Sequence, residues 1–462
     1  QQFFYRSNLH HASEANMKKY VWMAMIAGIV GLIYYVKPVD KGGQVAPYFE
    51  SLNSSIKEAG IERPIVVIDL DALDHNIQEV KNSANDRLRI VTKSLPSIEL
   101  LTYIMRKTGS QKLMVFHAPF MIELIRSLPA DVTTNLDILP GKPIPIAEVR
   151  HLYSELNVTE RQKLNSVQWL VNDIETLEDY LAFAKQQSLK LRINIEIDVG
   201  LHRGGAKDLN QLSDMLSILK QNSQWLSLSG LMGYDGHVIH VPSLSFNHQE
   251  KVFTEFYNML YKYTDFKEKI EHNYPDLYSR KLTFNGGGSL TYSLYSYSKD
   301  KPVNDVSTGS AFLYPSSFQE FTLEKHKPAS FIASPVLKKY EYFTMPFQDL
   351  IPNFTNLVEA WDANARKSYY IYGGGWPAEI VYPHSLEINT LTASTPNENL
   401  LPNQSLYHSS ENENLSVGDY VFFWPKQGDA IIQFEDLYLV RDGKLLKEGG
   451  RPSVWKTFRR RL

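Results

Sequence analysis

From Arg63 onward the chain alternates short apolar, β-branched runs with stretches whose apolar residues recur every three or four positions. Unbroken or alternating apolar runs predict strands, and the three-to-four spacing predicts helices. PIVVIDLDAL (64–73) reads as a strand, and HNIQEVKNSA after it as a helix. The same pairing continues with RLRIVTK (87–93) and SIELLTYIMRK, KLMVFH (112–117) and FMIELIRSL, SVQWLVN (166–172) and DIETLEDYLAFAKQQ. KLRINIEIDVG (190–200) precedes a helical stretch from Leu209 to Leu219, and LSLSGLMGYDG (226–236) precedes a longer one from Glu250 to Tyr263. RKLTFNGGG (280–288) and VNDVSTG (303–309) complete the series, while segment 129–165 fits no unit and reads as an insertion. Repeated β-then-α units predict a parallel sheet under helices, and seven or eight of them predict a closed (β/α)8 barrel of the TIM type.

After about residue 325 the helical spacing fades. ASFIASPVL, YYIYGG, DYVFFW, DAIIQF and LYLVRDGKLL read as short strands, separated by turn-rich stretches such as ASTPNENLLPNQ. The expected organisation is an α/β barrel over 63–324 and an all-β domain over 325–462.

At the other end, residues 20–36 (YVWMAMIAGIVGLIYYV) lack any charge and follow Lys18 and Lys19. A helix of about 17 residues reaches the lower end of what spans a bilayer, roughly 17–25 residues. The expectation is an uncleaved transmembrane signal-anchor, with the remainder facing the periplasm or exterior, or else the cytoplasm. Residues 1–19 then read as a leader or expression remnant, with Met17 a plausible start, and 37–62 as a linker.

Composition narrows the chemistry. With Lys+Arg 48 against Asp+Glu 51 the net charge is −3, which gives no electrostatic case for nucleic acid as a partner. The basic tail KTFRRR (456–461) reads as a solvated end. Cys 0 excludes disulfides, thiolate metal sites and a cysteine nucleophile, so the working groups must be Lys, His, Tyr, Ser, Asp or Glu, or a cofactor.

In a (β/α) barrel those groups sit at the C-terminal ends of strands. Lys93 ends the strand 87–93, where partial desolvation would lower its pKa and make the amine a nucleophile toward an aldehyde. Taken on that one residue alone, an ordinary lysine snorkelling from a strand end is the favoured reading. Asn194, Glu196 and Asp198 alternate with isoleucines, so they share the lumen face, either as a buried polar network or, for Asp198 beside Gly-Leu-His-Arg-Gly-Gly, as part of a site. Gly286, Gly287, Gly288 and Ser289 follow a strand and offer converging peptide N–H groups to an anion, or simply a tight turn.

Taken in order, these motifs resemble the fold-type III pyridoxal-phosphate family, most closely its D-threonine aldolase and D-serine dehydratase branch, with alanine racemase more distant. The resemblance runs through most of 60–445: P-x-x-x-I-D-L-D-A-L-x-x-N-I, Val91-Thr92-Lys93, EIDVGLHRGG, GYDGHxxH, NGGGSLTY, VGDYVFFxP and DLYLVRDGK. It implies a barrel of the alanine racemase N-terminal type, with pyridoxal 5'-phosphate held covalently on Lys93. Gly286, Gly287, Gly288 and Ser289 would form the phosphate cup. Tyr234 and His237 would lie near the cofactor ring with His237 as acid/base, and His202 and Arg203 would organise the site. The β domain would complete the site across a homodimer interface. The implied activity is a lyase acting on small β-hydroxy D-amino acids, by retro-aldol cleavage or elimination. The alternatives are an alanine-type racemase and a relative that binds the cofactor without turnover.

One departure touches the metal. The branch carries Pro-x-His-x-Cys or Pro-x-His-x-Asp near its C-terminus, and this chain has Pro425-Lys426-Gln427-Gly428-Asp429. Gln427 and Asp429 would be poor ligands for Mn or Zn beside an ammonium group. Upstream, His408 to Glu411 resembles another element of the branch and offers His408 as a ligand or base.

Overall fold

The computed structural model describes residues 21–28, 31, 34–298, 302–345, 348–386 and 403–458. The chain splits into two compact units. One comprises Pro47–Ser334, Trp376–Val381 and Phe422–Leu462, and the other Pro335–Gly375 and Tyr382–Val421 with the residues before Pro47.

The larger unit contains the barrel. Its strands are β2 (Leu88–Val91), β3 (Lys112–Val115), β4 (Asp137–Pro140), β5 (Gln168–Val171), β6 (Leu191–Glu196), β7 (Leu226–Met232), β8 (Thr283–Gly286) and β9 (Asp305–Thr308), after β1 (Ile65–Asp69) outside it. They pair in parallel in the order β4-β3-β2-β9-β8-β7-β6-β5, and a bridge between Ile138 and Val167 brings the two ends together. Most strand positions are buried because helices cover the outside and side chains fill the lumen. The helix boundaries follow from capping. Ser97 caps Ile98–Thr108, which ends at left-handed Gly109, and Asp173 and Asp208 cap Ile174–Gln187 and Leu209–Gln221.

Two strand assignments change. The run 64–73 supplies no barrel strand: β1 pairs antiparallel with Ser330–Ala333 and parallel with Leu437–Val440. All five of its residues are buried, so its sequence cannot be told from a barrel strand by pattern. The missing barrel strand is β4, inside the segment read as an insertion. It is four residues long, and its first residue, Asp137, is a charged member of a lumen network.

That network forms one end of the barrel. Arg89, 1% exposed, donates to both carboxylate oxygens of Asp305 and to Asp137. Arg192 also pairs with Asp137, and Gln168 links Asp137, Thr283 and Asn194. Asn194 therefore belongs to a structural network at the N-terminal side of the strands, and chemistry is left to the other side.

After the barrel, β10 (Ser330–Tyr340) begins the β-rich C-terminal part. In the larger unit Asp436–Arg441 pairs with β1, Lys444–Leu445 and Val454–Lys456. In the smaller unit the second half of β10 pairs with Lys367–Tyr372, which pairs in turn with Gln404–Ser409. DAIIQF is not a strand: Gly428–Gln433 forms a 3-10 turn, with the Gly428 backbone packed close to Ser94 and Ser310. The stretch 393–404 lies mostly outside the described residues, as does the end of the basic tail.

The transmembrane anchor is corrected. Among the described residues no helix is long and apolar enough to cross a membrane. Residues 21–28 are helical, and the expected leader and parts of 20–36 lie outside the described residues. Nothing in the structure supports the membrane-anchored, exported placement. Pro47–Glu58 forms a helix that buries Leu52 and Ile56.

Candidate active site

The C-terminal ends of the barrel strands surround a cavity of about 390 Å³. Its wall includes Lys93, Phe116, Arg203, Tyr234, His240, Gly287, Gly288, Ser289, Gln427 and Asp429. Eight residues given site roles from sequence thus meet in one place, while His202, His237, Gly286, Asp198 and His408 do not line it.

Lys93 follows β2 in a short 3-10 turn whose neighbour Thr92 is fully buried and donates to the carbonyl of Met114. The lysine side chain is exposed rather than desolvated, and its Nζ stands 5.1 Å from the centroid of the Phe116 ring. Ser94 beside it hydrogen-bonds Ser310 at 2.8 Å, tying the ends of β2 and β9 together. Burial and the charges of Lys142 and Lys93 push the nearby His117 imidazole below its ordinary value.

The turn after β6 is organised by Asp198. Its Oδ1 accepts from the peptide N–H groups of Gly200 and His202, and its Oδ2 accepts from the His202 ring at 2.7 Å. Burial raises its carboxyl, but these hydrogen bonds and Lys262 outweigh burial and hold it below the usual range. Glu196 is shifted the other way, upward, by burial with Asp198 adding and Arg203 opposing. His202 serves this turn with its side chain 78% exposed. Arg203, next in sequence, lies over the Tyr234 ring at 4.6 Å. Burial, then Asp235, push the Tyr234 phenol up against the effect of Arg203, so it stays protonated near neutral pH.

His237 packs against Gly200, whose φ of +131° and missing Cβ leave room for it: a Cβ there would lie 2.6 Å from His237 Nε2. That Nε2 is 3.4 Å from Glu255 Oε1, and among the described residues neither ring nitrogen has a hydrogen bond. His240, at the end of the following 3-10 turn, lines the cavity instead. Its signal was in GYDGHVIH, where a second histidine follows three residues after the first.

Gly287 adopts φ +86°, which a side chain would strain. Gly286 sits behind the wall, where a Cβ would come within 2.6 Å of the Tyr295 hydroxyl. Ser289 Oγ accepts from Gly309 N–H at 3.2 Å and from Thr308 Oγ1 at 3.3 Å, holding the glycine turn beside the end of β9.

The cavity fits pyridoxal phosphate in kind: an exposed lysine amine, the guanidinium of Arg203, hydroxyls of Ser289 and Ser310, a glycine turn, and the flat rings of Phe116 and Tyr234. It does not fit a divalent metal. Gln427 donates its amide to Ser317 at 3.0 Å, and among the described residues no three His, Asp or Glu side chains are grouped so as to hold a metal ion. His408 belongs to the smaller unit, 1% exposed, bonded to Ser368 and stacked on Phe343 at 4.5 Å.

A barrel of this kind with its chemistry at the strand C-termini defines a class, and comparison with known proteins names it. Residues 68–272 match the family "Alanine racemase, N-terminal domain". No curated protein matches the chain. Among solved structures, D-threonine aldolase from Filomicrobium marinum superposes with TM-score 0.62 at 14% identity, over 87% of this chain and 99% of that one. D-threo-3-hydroxyaspartate dehydratase from Delftia sp. HT23 gives TM-score 0.61 at 14% identity, over 86% and 97%. Alanine racemase from Bacillus anthracis gives 0.57 at 14%, over 87% and 99%. At such identity these likenesses establish the shared fold.

Proposed function

We propose that this chain is a pyridoxal-phosphate lyase acting on small β-hydroxy D-amino acids, by aldolase-like cleavage or dehydratase-like elimination. The observation that carries it is the exposed Lys93 amine, presented in one cavity with the glycine turn, Ser289 and Arg203. When bound, the cofactor supplies the electron sink that lets a bond at the amino acid's α-carbon break. Lys93 would carry it covalently. Ser289, beside the glycine turn, would meet its phosphate, and Tyr234, under Arg203, would orient its ring.

Moving the proton of the substrate hydroxyl falls to a histidine after β7. His240 lines the cavity and His237 does not, so His240 takes that role and His237, beside Glu255, supports the loop. No step runs through a metal. A homodimer belongs to the same proposal.

The match of residues 68–272 to the alanine racemase domain favours racemisation as the second reading. One experiment separates the readings. The full chain is titrated with pyridoxal phosphate and its visible absorbance followed, then D-threonine, D-serine and D-alanine are supplied. Glycine with acetaldehyde marks an aldolase, pyruvate with ammonia a dehydratase, and L-alanine a racemase. Absorbance without turnover marks a cofactor-binding relative. No absorbance, or absorbance that persists in Lys93→Ala, refutes the assignment.

A further inference from the structure

Asp235 lies between Tyr234 and Gly236, two residues of the cavity wall, yet it is 0% exposed and does not line the cavity. Its Oδ1 accepts from Thr291 Oγ1 at 2.8 Å and its Oδ2 from the Tyr295 hydroxyl at 2.6 Å. Both donors belong to the chain just after the glycine turn. Thr291 Oγ1 in turn accepts the N–H of Gly288 at 3.0 Å, and the Tyr295 hydroxyl lies directly beneath Gly286 and bonds the backbone of Gly287. Asp235, Thr291 and Tyr295 are buried, the Gly288 N–H is part-buried, and of the three side chains Thr291 alone reaches the cavity wall.

We propose that Asp235 is the positioning residue of the glycine turn: through Thr291 and Tyr295 it fixes the Gly286–Gly288 backbone in the shape that receives the phosphate of pyridoxal phosphate. The inference rests on the cavity holding that cofactor, as proposed above. The chemistry follows from the donor count. A buried carboxyl offers two oxygens, and each accepts one hydroxyl proton. With its own proton given to Asp235, Thr291 Oγ1 is left with lone pairs and accepts the peptide N–H of Gly288. Asparagine keeps one acceptor and puts an NH2 where the second stood, so one hydroxyl loses its partner and the turn loses one of its two struts. A carboxylate would repel a bound phosphate if it faced it, so its burial behind the wall suits a strut and not a ligand.

The test uses the full-length apoprotein, titrated separately with pyridoxal phosphate and with pyridoxal, which lacks the phosphate. Wild type binds the phosphate form much more tightly. Asp235→Asn and Thr291→Val each weaken pyridoxal phosphate about tenfold, the size of one net hydrogen bond, and leave pyridoxal unchanged. Thr291→Ser, which keeps the hydroxyl, retains the wild-type ratio. If Asp235→Asn does not fold, Thr291→Val and Tyr295→Phe, each lacking a single hydroxyl, carry the same test. Equal weakening of both ligands, or wild-type binding in all these variants, overturns the role of Asp235 and leaves the cofactor assignment standing. A wild-type chain that does not distinguish the two ligands overturns both.

Discussion

Replacing Arg89 with methionine removes the cation at the N-terminal end of the barrel lumen and leaves the carboxylates around it behind. Arg89 donates to Asp305 at 2.6 and 3.1 Å, to Asp137 at 2.7 Å, and to the carbonyls of Leu113 and Asp137 at 3.1 and 3.2 Å. Without it Asp305, its side chain 3% accessible, keeps among the described residues Asn285 at 2.7 Å and the Lys112 ammonium at 3.5 Å. Asp137 keeps Arg192 and Gln168. Removing one partner of a buried pair costs about 3–5 kcal/mol, because the remaining charge is stranded. Methionine has similar length and restores part of the apolar packing, which places the expected loss near 3 kcal/mol. Urea unfolding followed by circular dichroism reads it as a lower midpoint at unchanged slope for the barrel unit. The solvent-exposed pair Arg106–Asp131 serves as control, and Arg106→Met leaves the midpoint in place. The pH dependence has a definite sign. Burial pushes the Asp137 carboxyl up, but Arg89 and Arg192 overcome it and hold the folded value below the ordinary one. Its stabilisation is present above the ordinary carboxylate value, about 3.9, and is lost as pH falls through the folded value. The deficit of Arg89→Met is therefore widest at neutral pH and narrows in acid. A loss under about 1 kcal/mol at pH 7, or one that does not narrow in acid, would refute the view that charge pairing holds this end together.

Gly230→Ala places a Cβ 1.8 Å from the carbonyl oxygen of Thr283 on the neighbouring strand, at φ +158°. Strand backbone cannot yield as a side chain does, so the variant loses about 3 kcal/mol or more, and an unchanged melting temperature would contradict this. Burial pushes the imidazoles of His408 and His326 down to about 4. The unfolded chain takes up protons below their ordinary value of 6.5 while the folded chain does not, so stability falls as pH drops from there toward 4. His408→Phe removes about 3 kcal/mol or less of that fall, and an unflattened pH profile of unfolding free energy would count against it.

The barrel was legible because its strands are apolar and its helices keep their caps and spacing, as at Ser97 and Asp173. It failed where pattern and environment part company. β1 is as buried as a barrel strand and so looks like one, although it joins the other sheet. β4 is too short to show a period, and it begins on Asp137, a charge that only Arg89 and Arg192 explain. Gly428–Gln433 has the composition of a strand, but close packing of its glycine on Ser94 and Ser310 turns it into a 3-10 helix. At the site, spacing gathered Lys93, Tyr234 and the glycine turn, because strand ends converge whatever the side chains are. Which histidine faces the cavity was not legible. His237 and His240 are three residues apart, and only the backbone path past Gly200 turns the first toward Glu255 and leaves the second in the wall.

The division of polar groups along the barrel carries a consequence for the chemistry. At the N-terminal side Arg89 and Arg192 are matched by Asp137 and Asp305, so the charges there are neutralised where they stand. At the C-terminal side Lys93 and Arg203 line a cavity whose only acid, among the described residues, is Asp429. A cavity with that balance attracts anions, and both a cofactor phosphate and an amino-acid carboxylate qualify. Two anions cannot share one turn without repulsion, so the cations must divide between them. Ser289 bonds the end of β9, while Arg203 stacks on the Tyr234 ring, against which Gly288 also packs. On the proposed function, the phosphate would take hydroxyl donors such as Ser289, and Arg203 would serve the substrate carboxylate. Arg203→Leu should accordingly raise KM for the amino acid while leaving pyridoxal phosphate affinity as it was, and a loss of cofactor with KM intact would reverse the allocation.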